Sequence, residues 1–374
     1  MKLFLTYYRF DGGILDIYNG FSFGCHNIKD ADHMFITDNV DLSSLKTGLK
    51  KYSTIYYSAS LAYQYTLVKK ILDKRWILGG PYIDILNNNE VTLYEKLDFK
   101  DDDIFIPYWN KWLSESRRNI PFNNVRYSAN CKTSCYWNKC KYCGGRYSKN
   151  KIDRNILKVL KQLPQYDFFS YVYLVNGSIE PQKLEVLCQY RVPDKQIIKI
   201  SIRPDSRIIE IIRKSTNLRG LDFGTGAENF SQKSFDILNR GLNIKDTLLF
   251  SKLAMERGAQ LSLNLATSFN IYDEREIDEN LKWIGNNLRS PLVRFWDAIE
   301  YEWPDEEVAK KLGSYRIEPG NGSKSFFALD NVVKTNGDMR ISRKIVDTLR
   351  SMGFMVISRF DEIERHNNIM KKDK

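Results

Sequence analysis

The sequence predicts an α/β protein: an N-terminal Rossmann-like parallel sheet, then a partial (β/α)6 barrel, then a small α/β C-terminal extension. Three observations predict it. Short β-branched and aromatic runs alternate with amphipathic helical stretches in residues 1–118 and again in 119–298, a pattern that builds parallel sheets. The run Phe168–Val175 (FFSYVYLV) is nearly all apolar, as in a strand covered on both faces. The later strands end on turn-forming or polar residues, Asn176-Gly177-Ser178, Arg203-Pro204-Asp205 and Gly224-Thr225-Gly226, where α/β folds place their ligands.

In order, Lys2–Tyr8 reads as a strand, Met34–Thr37 (MFIT) as a second, and Leu45–Tyr52 as a short amphipathic helix. Thr54–Ser58, a helix over Ala62–Asp73 and Arg75–Leu78 make a βαβ unit that runs into Gly79-Gly80-Pro81. Asp101-Asp102-Asp103 and Ser114–Asn119 (SESRRN) mark a polar, turn-rich linker, so the first domain is set at 1–118.

The second domain, 119–298, opens with strand Val125–Ala129 and continues with an acidic-started helix over Asp153–Leu163, strand Phe168–Val175 and a helix from Pro181. Strand Ile197–Ile202 and helix Arg207–Lys214 follow. Strand Gly220–Phe223 is expected to break at Gly224. Helices at Gln232–Leu238 and Ile244–Glu256, the latter closed by Gly258, lead to strand Ala259–Thr267, helix Glu274–Asn287 and strand Leu292–Trp296. Residues 299–374 form the extension, with a helix at Lys344–Met352, a strand at Phe354–Ser358 and a solvated tail. The aromatics of Arg294–Asp297 and Tyr301–Pro304 line either an entrance or a domain seam.

Chemistry concentrates in CKTSCYWNKCKYCGG. Four of the six cysteines lie there as Cys131-x3-Cys135-x4-Cys140-x2-Cys143. Thiolates this dense, in a chain without disulfide context, usually hold a metal, with buried, unligated thiols as the other reading. Four can close a tetrahedral zinc shell; three can hold a 4Fe–4S cluster with one iron open. Only Cys140-x2-Cys143 has the tight spacing of a zinc knuckle, and Tyr142 with Gly144-Gly145 indicates backbone approaching a ligand.

The run Cys135–Gly145 resembles the cluster loop of radical S-adenosylmethionine (SAM) enzymes, in particular the branch with an N-terminal cobalamin-binding-like domain. The common spacing there is three residues then two; here it is four then two. The resemblance implies a 4Fe–4S cluster on Cys135, Cys140 and Cys143, with Cys131 a small buried residue ending the preceding strand. It implies SAM contacts at Tyr142, at Asn176 and Gly177 near the methionine amino group, at Ser201 and Arg203, at Glu228, and at Asn264 near the adenine. Gly224-x-Gly226-Ala-Glu228-Asn with Leu238-Asn-Arg240-Gly241 resembles a segment of the same branch. A strand ending in Gly79-Gly80-Pro81 resembles a cobalamin-binding domain, but the Asp-x-His-x-x-Gly motif is absent, which leaves cobalamin open. The implied activity is reductive cleavage of SAM to a 5′-deoxyadenosyl radical. With cobalamin it extends to methylation of a carbon or phosphorus centre; without it, epimerisation, cross-linking or ring rearrangement stay open.

A net charge of +11 over 374 residues invites an acidic partner such as RNA, yet the basic residues are spread along the chain with no run of five. At 43% hydrophobic and 28% charged residues the chain reads as globular, without an apolar run long enough to span a membrane. Its start reads as a strand rather than a signal peptide, so a reducing cytoplasm is expected. The expected partners are a peptide or small-molecule substrate and a one-electron reductant such as flavodoxin or ferredoxin. The rivals are a radical SAM enzyme acting on RNA and a zinc-knuckle nucleic-acid-binding protein without catalysis.

Overall fold

The computed structural model of the chain describes residues 1–11, 14–17, 31–36, 40–58, 68–79, 92–93, 124–132, 135–140, 155–163, 169–175, 177–267, 271–297 and 339–358. Its strands join into one thirteen-stranded sheet with two differently built halves.

The first half begins with β1 (Lys2–Asp11), whose last residues Tyr8–Asp11 pair antiparallel with β2 (Ile14–Ile17). Its first residues pair in parallel with β3 (Ala31–Ile36) on one side and β4 (Thr54–Ser58) on the other. β5 (Trp76–Gly79) and β6 (Thr92–Leu93) extend the sheet, giving the order β3-β1-β4-β5-β6. Numbered along the chain, these five strands stand 2-1-3-4-5, a doubly wound order whose switch point lies between β1 and β4. Leu3, Leu5, Ile55, Trp76 and Leu78 are fully buried, with Trp76 edge-on to Tyr57 at 6.0 Å. β1 runs past the expected stop at Tyr8 because β2 gives it a second partner. Helix α1 (Leu42–Gly48) starts three residues before the expected Leu45, since the Asp41 carboxylate caps it from Ser43 and Ser44 N–H. Of the helix expected over Ala62–Asp73, only the end is described, and Lys69–Ile71 there is a 3₁₀ turn. The linker and Gly80 lie outside the described residues.

The second half is parallel throughout. β2 hands over to β7 (Asn124–Lys132), followed by β8 (Phe169–Val175), β9 (Gln196–Ser201), β10 (Leu221–Glu228), β11 (Gln260–Leu265), β12 (Val293–Asp297) and β13 (Met355–Ser358). Helices α2 (Ile156–Gln162), α3 (Pro181–Cys188), α4 (Ser206–Lys214), α5 (Gln232–Ile237), α6 (Ile244–Glu256), α7 (Glu274–Asn287) and α8 (Met339–Ser351) make the crossovers. The sheet curls into part of a barrel. α2 is capped by the Asn155 side chain at 3.1 Å from Lys158 N, not by an acidic residue. β10 does not break at Gly224: pairing with β11 continues to Glu228 through a bulge after Gly226, so the Gly-Thr-Gly stretch is strand. The extension expected after residue 298 adds its strand to the same sheet, β13 pairing in parallel with β12.

Period two separates the faces of this sheet. Val172, Leu174, Ile198, Ile200, Leu221, Phe223, Leu261, Leu263 and Phe295 are fully buried on one face. They meet the helices, as Phe223 meets Phe250 of α6 at 5.7 Å between ring centroids. Phe223→Ala is therefore expected to destabilise the chain by about 3–5 kcal/mol, read as a lower denaturant midpoint. The opposite face is polar. Tyr173, Lys199 and Asp222 stand in one register row, Gly224, Ser262 and Arg294 in the next, Gly226, Asn264 and Trp296 above them. Closed barrels fill this interior with apolar layers; this chain keeps a polar trough.

At the far edge, Glu274 of α7 holds Arg340 and Lys344 of α8, each at 3.0 Å. Hydrogen bonds from Arg340, then Lys344, pull the Glu274 carboxyl from 4.5 down to about 2. A depressed acid stabilises above its unfolded value, so this tie is complete above about pH 4.5 and lost as pH falls through 2. NMR titration of the Glu274 carboxyl checks this; a midpoint near 4.5 refutes it.

Candidate functional site

The thiol loop leaves the C-terminal end of β7. Cys131, inside that strand, is 1% exposed and packed in the main hydrophobic core. Cys135 and Cys140 are half-buried on the loop beyond it. Tyr142 and Cys143 lie outside the described residues. The stretch between the two described thiols is anchored from both sides. Tyr136 donates to the Asp205 carboxylate at 2.8 Å, and Trp137 Nε1 donates to the Asn239 carbonyl at 3.0 Å. Asn239 Nδ2 returns a bond to the Lys139 carbonyl at 3.0 Å. Burial and the neighbouring Asp205 carboxylate both push the Tyr136 phenol up.

Those anchors come from the next strand ends. Asp205 caps α4, accepting from Arg207 and Ile208 N–H at 3.1 Å. Its carboxyl is raised by burial but held below the usual range by the Tyr136 hydroxyl, the cap bonds and Arg207. Arg203, 6% exposed, donates to the carbonyls of Arg240 and Gly241, the latter at 2.6 Å, and its guanidinium lies 4.0 Å from the Trp137 ring. Burial, then Arg240, lowers Arg203 from its usual value; Cys140 and Cys135 are close enough for a negative charge on either to oppose that. Ser201 is half-buried at the end of β9, where its carbonyl accepts from Ile179 N–H at 3.2 Å. This brings the turn containing Gly177 to the same rim; Asn176 lies outside the described residues.

At the end of β10, Glu228 is 3% exposed with φ 50°, and its carboxylate pairs with Arg240 at 2.9 Å. Arg240 also donates to the Gly226 carbonyl at 3.2 Å. A Cβ at Gly226 would collide with the Glu228 carboxylate and lie 2.9 Å from both Arg240 terminal nitrogens. Only glycine lets this ion pair close over the strand. Asn264, on the polar face of β11, is exposed beside it. In the N-terminal sheet, Gly79 ends β5 next to Ser58 at the end of β4, one strand from the switch point.

Below the rim, Asp222 is fully buried and accepts from Ser262 Oγ at 3.0 Å, from Arg294 and from the Tyr171 hydroxyl, with Lys199 Nζ at 3.5 Å. Burial raises this carboxyl, but Lys199, Arg294 and the hydroxyl donors outweigh it and hold it ionised below its usual range. A second buried knot joins Thr267 to Asp297 and to Ser342, each at 2.7 Å.

Sequence reasoning gave no site role to Trp137, Arg240 or the Asp222–Arg294 pair, although Arg240 and Arg294 stand in segments that it singled out. For Trp137 a signal existed, the extra residue between the first two thiols. The pairing of Asp222 with Arg294 had none: charges inside strands become partners only through sheet register.

No family model matches the chain, and no characterised protein matches it by sequence. Solved structures do match. The cobalamin-dependent S-adenosylmethionine radical enzyme OxsB, with aqua-cobalamin and S-adenosylmethionine bound, superimposes with TM-score 0.54 at 11% identity over 94% of this chain. OxsB with aqua-cobalamin alone gives 0.52 at 12% identity over 96%. The chain has the OxsB fold. It spans 61% of the length of the OxsB chain bound to both ligands. Within the OxsB fold, the thiol loop at the end of β7 stands at the rim of the curled half-barrel, while β1 and β2 join the N-terminal sheet to the start of β7, at the opposite end of that strand. Among the described residues, no helix is long and apolar enough to cross a membrane.

Proposed function

We propose that this chain is a radical SAM enzyme holding a 4Fe–4S cluster on Cys135, Cys140 and Cys143. The observation that carries the reading is the placement of Cys135 and Cys140, half-buried on one clamped loop at the strand-end rim of an OxsB-like half-barrel. The donor set fits. Two thiols share a short loop beside a buried guanidinium, while Cys131 faces the apolar core and is left as a packing residue. A cluster bound there would pass one electron to the sulfonium of SAM, cleaving it to methionine and a 5′-deoxyadenosyl radical that abstracts hydrogen from substrate.

The chain's own residues hold the nucleotide and exclude water. Glu228 and Arg240 present opposite charges at one rim position, matching the amino and carboxylate groups of an amino acid. Asn264 and Ser201 offer neutral hydrogen bonds on the polar face. Arg203 is engaged with backbone carbonyls and the Trp137 ring, so its part is to shape the loop. Cobalamin would sit at the strand ends of the 2-1-3-4-5 sheet, where Gly79 ends β5, without a histidine from the usual motif. With cobalamin bound the reaction is methyl transfer to a peptide or other natural product, with flavodoxin or ferredoxin supplying electrons.

Anaerobic reconstitution of the full chain with iron and sulfide tests this. A brown protein absorbing near ~400 nm that converts SAM to 5′-deoxyadenosine supports it. A colourless protein carrying one zinc rejects it. Hydroxocobalamin retained through gel filtration supports the cobalamin assignment, and its loss leaves the cobalamin-independent reactions.

A further inference from the structure

We infer that the residue added between Cys135 and Cys140 serves to seat Trp137 on Arg203 and Gly241, and that this docking fixes the distance and direction of the two thiols. The inference rests on the proposed cluster only for what the loop carries; the docking is geometric.

The spacing provides a reason for a peg. Four residues between two ligands of one cluster leave more chain than the span needs, and unanchored chain lets the sulfurs wander. Asn138 absorbs the excess by taking a left-handed conformation, φ 48°, which asparagine tolerates better than most residues. The turn is then tied at both ends: Tyr136 to Asp205, Trp137 Nε1 to the Asn239 carbonyl, Asn239 back to Lys139. These bonds link residues 69 to 102 positions apart in sequence, so they hold only in the folded barrel.

The seat is shaped for an indole. Gly241 has φ +57°, and a Cβ there would lie 2.6 Å from Trp137 Cη2. Glycine is needed for both the conformation and the contact. Arg203 adds a second contact, its guanidinium 4.0 Å from the ring and locked by its two bonds to the carbonyls of Arg240 and Gly241. A planar guanidinium stacks on an aromatic face while spending its donors in-plane. The same segment, Asn239–Gly241, thus grips the indole by a hydrogen bond, by contact and through Arg203. Arg203 and Trp137 are positioning residues for the thiols.

The test uses the full, metal-free chain under reducing anaerobic conditions. Alkylation of Cys135 and Cys140 by iodoacetamide, mapped by peptide mass spectrometry, reads how often the loop leaves its seat. Trp137→Ala is expected to react about tenfold faster at both thiols, the factor that ~1.4 kcal/mol of lost docking gives. Trp137→Phe, which keeps a ring but loses the Nε1 bond, falls between. Gly241→Ala, outside the loop, raises the rates as well, and the double variant gains less than the two single changes combined, since the new methyl then has no ring to strike and only the backbone strain at φ +57° remains. Reconstituted Trp137→Ala also surrenders iron to a chelator faster than wild type. Wild-type alkylation rates in a folded Trp137→Ala chain overturn the inference, and so do additive rates in the double variant. A wild-type chain that takes up no iron overturns the proposed function instead, and the alkylation result stands on its own.

Discussion

Cys140→Ala, reconstituted anaerobically, releases no 5′-deoxyadenosine from SAM and carries little iron. The side chain is half-buried on the loop, outside the apolar core that takes Cys131, so its loss leaves the fold intact and the melting temperature near wild type. That combination matters, because a core cysteine behaves in the opposite way: Cys131→Ala lowers stability and spares the cluster. The proposed cluster would require the thiolates of Cys135, Cys140 and Cys143 together, and substitution of one would leave an iron without a protein ligand. Iron and sulfide per chain, together with deoxyadenosine by chromatography, read the result. Unchanged deoxyadenosine production would show that the ligand trio is wrong.

Asp222→Ala destabilises the chain by about 3–5 kcal/mol, because removing one member of a buried ion pair leaves its partners charged and dry. Arg294 and Lys199 are the partners here, and Ser262 and Tyr171 lose their acceptor as well. For a chain of this size that corresponds to a fall in melting temperature of roughly 5 °C. Replacing both charges, Asp222→Leu with Arg294→Met, is expected to recover much of the loss, since the desolvation of both groups goes with them. A single variant as stable as wild type would mean that the network is solvated. The pH dependence has a definite sign: a carboxyl held below its usual range contributes above the ordinary aspartate value, and the contribution fades as acid protonates it.

Much of the fold was legible because α/β architecture is written locally. The apolar run of β8 and the proline at the start of α3 each declare an element through its own residues. α7 was expected at Glu274–Asn287 and is found there. Where the reading slipped, a neighbour decided. Gly224-Thr225-Gly226 looks like a turn in isolation, and β11 makes it strand. β1 outlasts its own pattern because β2 pairs with it, and β13 looks like an appendage until β12 claims it.

The candidate site divides in the same way. The sequence by itself determined the thiol loop, its spacing, and the set of polar residues at successive strand ends, because ligand spacing and strand ends are short-range properties. Only the tertiary structure decided that Arg203 meets Trp137 and Gly241, that Glu228 meets Arg240, and that the buried Asp222 meets Lys199 in its own row and Arg294 in the next. Those contacts depend on parallel register between strands tens of residues apart. Register is set by the packing of the whole sheet against its helices, which no local stretch of sequence contains.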